Sequence, residues 1–141
     1  MLFDGLIGNT DRHSNNWAIE VTLGKKNRLA PSFDHATAMA ITSRGARREK
    51  LLAEPQGIFD FAVKARARQF EDGQSKSLVD YAAGFSRQFA PGRLSAWASK
   101  LEALRDDVIE SLIQQSQMSG PAAKLASEII KCNRERIVEC H

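Results

Sequence analysis

The sequence predicts a mainly α-helical domain with one small β-hairpin, and three observations lead there. From residue 58 onward, apolar residues recur at the i, i+3, i+4 spacing of amphipathic helices. Residues 1–57 hold the polar turn formers and the one pair of short alternating segments. The length of 141 residues, with 43% hydrophobic and 26% charged, suits one globular domain able to bury roughly two-thirds of its unfolded surface. A single domain over 1–141 is therefore expected, with loops and hairpin in 1–57 and the helical part in 58–141.

In chain order, Asn9-Thr10-Asp11 and Ser14-Asn15-Asn16 are polar loop formers. Trp17-Ala18-Ile19-Glu20-Val21 reads as a short strand, Gly24-Lys25-Lys26-Asn27 as a turn, and Arg28-Leu29-Ala30 as the return strand before Pro31. Such a hairpin is stable only when packed on something larger. Residues 42–57, with two glycines, a proline and many charges, read as a long surface loop. Phe59, Ala62, Val63, Arg66, Ala67 and Phe70 make the first helical stripe, ended by Asp72-Gly73. Leu78, Tyr81, Ala82, Phe85 and Phe89 form the second, and Ser77-x-x-Asp80 resembles a capping box. Pro91 opens a third helix whose stripe runs through Leu94, Trp97, Leu101, Leu104, Val108 and Leu112. Ser119-Gly120-Pro121 starts a fourth, carrying Leu125, Ile129, Ile130 and Ile137. All these stripes are expected to be core.

The net charge of +3 is unevenly spread. Residues 21–70 carry ten Lys/Arg against four Asp/Glu, with Arg44, Arg47, Arg48 and Lys50 the densest part. A solvated face explains this surplus most simply; an anionic ligand or partner is the alternative. No apolar run reaches the roughly 20 residues needed to cross a bilayer, and the start shows no signal peptide, so a cytoplasmic location is expected. Cys132 and Cys140 sit eight residues apart on one expected helix, about 12 Å and too far for a disulfide. Reduced thiols are expected, and no Cys/His set has zinc-ligand spacing.

Chemistry concentrates in residues 9–16 and 32–36. Asp11 and Asn16 stand as Asp-x-x-x-x-Asn, the spacing of a protein-kinase catalytic loop. There the Asp accepts the proton of the substrate hydroxyl and the Asn holds a nucleotide-bound Mg²⁺. A hairpin then leads to Asp34 in Ser32-Phe33-Asp34-His35-Ala36, where a kinase places its second metal aspartate. Either spacing alone could be plain turn chemistry; the order of loop, strand, turn, strand and Asp is more specific.

Gly8-Asn9-Thr10-Asp11-Arg12-His13-Ser14-Asn15-Asn16-Trp17 resembles the catalytic loop of HipA-like serine/threonine kinases, Asn-x-Asp-x-His-x-x-Asn. Leu29-Ala30-Pro31-Ser32-Phe33-Asp34-His35 resembles that family's metal motif. Phosphatidylinositol 4-kinases share a related loop, but the Leu-Ala-Pro lead-in favours the HipA group. The stretch from Met118-Ser119 through Asn133-Arg134-Glu135-Arg136 is similar to the last helix of HipA-type C-lobes. The resemblance implies a kinase C-lobe using Mg²⁺ and ATP, with Asp11 catalytic and Asn16 and Asp34 as metal ligands. Asn9 and His13 would support the loop by hydrogen bonds. Ala36 departs from the family's glycine, and a side chain there disfavours positive φ.

A kinase also needs a nucleotide-covering N-lobe. These 141 residues contain no G-x-G-x-x-G or Walker pattern, and Lys25-Lys26 follows the catalytic loop, so it cannot replace the N-lobe lysine. The primary expectation is a lobe that is poorly active alone, with a cleft face more apolar than an ordinary surface. Its partners would be an N-lobe or antitoxin-type protein and a Ser/Thr protein substrate. The alternative is a non-catalytic C-lobe remnant that binds a protein in a toxin–antitoxin-type system. A basic nucleic-acid-binding protein ranks last, because no aromatic-interleaved basic surface or recognition helix is visible.

Overall fold

The computed structural model describes all of residues 1–141 and contains seven helices and one two-stranded antiparallel sheet. The helices are α1 (Leu2–Ile7), α2 (Gly45–Ala53), α3 (Pro55–Lys64), α4 (Leu78–Phe89), α5 (Pro91–Glu102), α6 (Asp106–Gln114) and α7 (Gly120–Glu139). Strands β1 (Ile19–Glu20) and β2 (Arg28–Leu29) pair Ile19 with Leu29 and Glu20 with Arg28. No helix is long and apolar enough to cross a membrane.

Helix α7 is the axle of the fold, since all six other helices pack against it. Its buried positions Ala122, Leu125, Ala126, Ser127, Ile129, Ile130, Asn133, Arg136 and Ile137 form a stripe too broad for one neighbour. Two apolar clusters result. The larger joins Leu2 and Leu6 of α1 to Val79, Leu94, Leu101, Ile109, Ile113 and Ile137; the smaller joins Ala40, Ile58 and Ala62 to Leu125 and Ile129.

Two polar residues of α7 fasten other elements by name. Asn133 donates to the Leu6 carbonyl (3.3 Å) and so grips the end of α1. Arg136 donates to the Ser77 hydroxyl (2.7 Å), at the N-terminus of α4. Ser77 in turn accepts from the Asp80 backbone N–H at 3.2 Å, the capping geometry its spacing predicts. The Asn133-x-x-Arg136 spacing thus has a structural use: both side chains face inward and satisfy groups that burial would otherwise orphan.

Four sequence expectations need correction. Residues 42–57 are not a surface loop: α2 fills 45–53 and Pro55 begins α3. Leu51 and Leu52 pack on the smaller cluster, but two adjacent apolar residues give too little period to reveal a helix. The stripe over 59–70 is helical only to Lys64. The chain then turns so that Ala67 N–H bonds to Lys76 C=O and Leu78 N–H to Ala65 C=O. Gly73 is required there, because a Cβ on it would lie 2.2 Å from the Ala67 carbonyl oxygen. The helix expected through Leu112 breaks at residues 103–105 into α5 and α6. Arg134 accepts responsibility for the Leu104 carbonyl released by the break, donating to it at 2.6 Å. Asp106 and Asp107 favour a new helix start. Finally, Phe59, Phe85, Phe89, Trp97, Val108 and Leu112 are exposed rather than core. Region 58–141 therefore contains α4 to α7 and most of α3, five helices instead of four.

Cys132 and Cys140 are both free thiols, and burial pushes each thiol's pKa up.

Candidate functional site

The site is built from the turn that ends α1. Gly8 takes a left-handed conformation (φ 65°), and Asn9 N–H bonds back to the Asp4 carbonyl at 2.8 Å. This turn leads the chain into residues 9–16 and places Asn9 in full burial. Asn9 Nδ2 donates to Asp4 Oδ1 (3.2 Å) and faces His35 Nδ1 (3.4 Å). Its Oδ1 accepts from Asp11 N–H (3.2 Å) and from Thr37 Oγ1 (3.1 Å).

Arg12 is the hub. Its buried guanidinium donates through Nε and Nη2 to Asp4 Oδ1, at 2.9 and 2.7 Å. Nη1 donates to the carbonyls of Asn16 and of Phe33, the latter at 3.0 Å. Nη2 also reaches Ser32 Oγ (3.3 Å) and His35 Nδ1 (3.2 Å). One side chain thus ties α1, the 9–16 loop and the 32–35 segment. Because a guanidinium only donates, His35 Nδ1 is an acceptor, which leaves Nε2 to donate to Ser32 Oγ at 3.0 Å. The ring also packs edge-on against Phe3.

A buried charge is tolerable only when paired. Burial alone would raise the Asp4 carboxyl's pKa. The Arg12 guanidinium, 2.7 Å from Asp4, counters burial, and the carboxyl is held below its usual range.

Around this hub stand the residues singled out by spacing. Asn16 is buried in a short 3₁₀ turn (Ser14–Asn16), and its Nδ2 donates to the Asp11 carbonyl at 2.7 Å. Its Oδ1 has no protein donor yet is not sealed from solvent. The Asp11 side chain is 43% exposed, and its carboxylate lies 3.8 Å from His13 Nε2. His13 Nδ1 accepts from Asn15 N–H (3.2 Å) and so caps the 3₁₀ turn. Asp34 is exposed and sits in the left-handed region with φ 54°. Asp tolerates that region better than most residues, at a cost of about 1 kcal/mol. Ala36, at the position where glycine was expected, has no positive φ; the left-handed geometry falls on Asp34, Met39 and Ala40 instead.

The structure therefore brings the two motif segments together through Arg12 and Asn9, which hold both neighbours of Asp34. The carboxylate of Asp34 makes no hydrogen bond to Asp11 or Asn16. Three oxygen-bearing groups remain uncommitted: the Asp11 and Asp34 carboxylates and Asn16 Oδ1. Carboxylate and amide oxygens are the donors that Mg²⁺ prefers, and the structure gathers no group of three His, Cys, Asp or Glu side chains into a metal cluster.

Sequence reasoning gave Asp4, Arg12 and Thr37 no role and treated His35 mainly as a motif neighbour. One signal was available. Asp4 is the lone charge in Leu2–Ile7, and Arg12 is the single Lys or Arg among the first 20 residues.

Alongside the hub runs a groove of ≈ 820 Å³ whose lining includes Leu2, Phe3, Trp17, Leu29, Phe85 and Trp97. The hairpin stands over this groove and does not close onto the helices, so Ile19 and Leu29 stay exposed. Comparison with protein-family models, with curated proteins and with solved structures finds no match to this chain.

Proposed function

We propose that this chain is the C-lobe of a HipA-like serine/threonine protein kinase, transferring the γ-phosphoryl group of ATP to a protein hydroxyl when an N-lobe is supplied. The observation that carries the reading is the Arg12 hub. It binds the Asp11–Asn16 loop to the residues on either side of Asp34, and Asp34 is itself in a conformation most residues avoid. Strained backbone held by over-determined surroundings is a feature of functional sites.

In this reading Asp11, open to solvent and free of strong donors, orients the substrate hydroxyl and accepts its proton. Asn16 Oδ1 and the Asp34 carboxylate would hold Mg²⁺, which would neutralise charge on the phosphate oxygens of bound ATP as the γ-phosphoryl group passes to the hydroxyl and ADP leaves. Asn9 and His13 keep the loop in shape through the bonds described above. Phosphoryl transfer is mostly positioning and electrostatics, and losing positioning can forfeit up to about 7–11 kcal/mol of barrier reduction. The isolated chain should accordingly turn over poorly.

The test is ATP-dependent phosphorylation of a Ser/Thr protein substrate by the chain alone and with an N-lobe added in trans. Activity that appears only with the N-lobe and vanishes in Asp11→Ala and Asp34→Asn supports the reading. Turnover insensitive to Asp11→Ala, or none under any N-lobe pairing while Mg²⁺–ATP fails to perturb the Asn16 and Asp34 amide resonances, overturns it.

A further inference from the structure

The groove beside the hairpin supports an inference that does not rest on phosphoryl transfer. Its two walls are both built to meet apolar surface. On the hairpin side, Trp17 and Ile19 lie two apart in extended backbone, and Ile19 pairs directly with Leu29. Alternation puts these three side chains on one face, and each is exposed, Leu29 to 69%. On the helical side, Phe85 and Phe89 of α4 stand at i, i+4 with ring centroids 4.6 Å apart. Arg93 and Trp97 of α5 repeat the i, i+4 spacing. Side-chain rows of this kind are the ridges between which another helix packs.

Charge restricts the occupant further. The ionised side chains lining the groove are Asp4, Arg12 and Arg93. Asp4 and Arg12 neutralise each other at 2.7 Å. Arg93 is exposed, its guanidinium has no partner, and it leaves one unmatched positive charge at the rim.

We propose that this groove receives an amphipathic helix of a partner polypeptide. Its apolar stripe lies between Trp17/Leu29 and Phe85/Trp97, and an acidic residue on its flank pairs with Arg93. A second copy of this chain fits less well, because a two-fold contact through the same groove face would bring Arg93 of both copies to one seam without adding an acidic partner.

The protein carries its own reporter, because Trp17 and Trp97 are its only tryptophans and stand on opposite walls. Two synthetic helices of about 15 residues, sharing one leucine stripe but flanked by Glu or by Lys, are titrated against the chain while tryptophan emission is read. The Glu-flanked peptide should give a saturable blue shift and bind about tenfold more tightly than its Lys-flanked counterpart. Arg93→Glu should reverse that preference. Leu29→Asp should abolish the shift with an unchanged far-ultraviolet spectrum, since residue 29 is exposed. Asp11→Ala should bind the Glu-flanked peptide like the unaltered chain, which separates failure of docking from failure of the kinase reading. Three results overturn the proposal. They are equal binding of both peptides regardless of residue 93, the same blue shift from concentration-dependent dimerisation without peptide, and a shift with phosphatidylglycerol vesicles but with neither peptide.

Discussion

Residues 1–41 and residues 45–139 are held together in different ways. The first region has one six-residue helix, two strands of two residues each and three non-glycine residues at positive φ. Leu2, Leu6 and Ala40 anchor its ends in the apolar clusters, and between them its order comes from directional bonds converging on Arg12 and Asn9, two buried polar side chains. The second is mostly helical, with residues 65–77 as its longest break, and its order comes from apolar surface spread along α7. Loss of one side chain should therefore matter differently in each. A hub has no redundancy, whereas a distributed core loses stability locally and keeps its arrangement.

The strongest challenge to this contrast is Arg12→Ala. It leaves Asp4 buried without its main partner, which should lower stability by about 3–5 kcal/mol in urea unfolding. Arg12→Lys should recover only a part, because an ammonium cannot serve Asp4 and the Asn16, Phe33 and His35 acceptors from one planar fork. A loss under about 1 kcal/mol would show that the hub is dispensable.

Ile109→Ala probes the other region. Ile109 is 3% exposed in the larger cluster, and truncation should remove about 2–5 kcal/mol. The amide resonances of residues 9–16 should nevertheless stay in place. If they move as far as in Arg12→Ala, the two regions are one cooperative packing unit and the contrast fails.

Acid should separate the regions more gently. The folded Asp4 carboxyl has its pKa below the unfolded value, which is about 3.9. Its contribution is thus fully present above that pH and is lost as pH falls through the lower folded value. Below about pH 4, stability should fall more steeply in the unaltered chain than in Asp4→Asn, with the two curves parallel above pH 5. Parallel curves throughout would remove Asp4 from the account. The smallest effect is expected from Gly8→Ala, about 1–2 kcal/mol for forcing a Cβ into the left-handed turn that launches the loop. Its Cβ would meet Ile129 and Asn133 only at an ordinary 3.7 Å, so backbone strain alone is measured.

The sequence by itself determined the helical class, the extents of α4 and α7, the start of α5, the Ser77 cap and the position of the hairpin. These follow from local rules: apolar period, proline in a first turn, and a hydroxyl three residues before an acid. It also marked Asp11, Asn16 and Asp34, because their spacing along the chain is itself the signal. Tertiary structure decided what local rules do not encode. The break between α5 and α6 is met by Arg134 of α7, which donates to the Leu104 carbonyl from 30 residues away. Phe85 and Trp97 lie on a groove rather than in the core, since periodicity tells which residues share a face but not whether anything covers it. The pairing of Asp4 with Arg12 depends on the Gly8 turn bringing α1 and the loop face to face, so two unremarkable charges become the centre of the site only once the chain has folded.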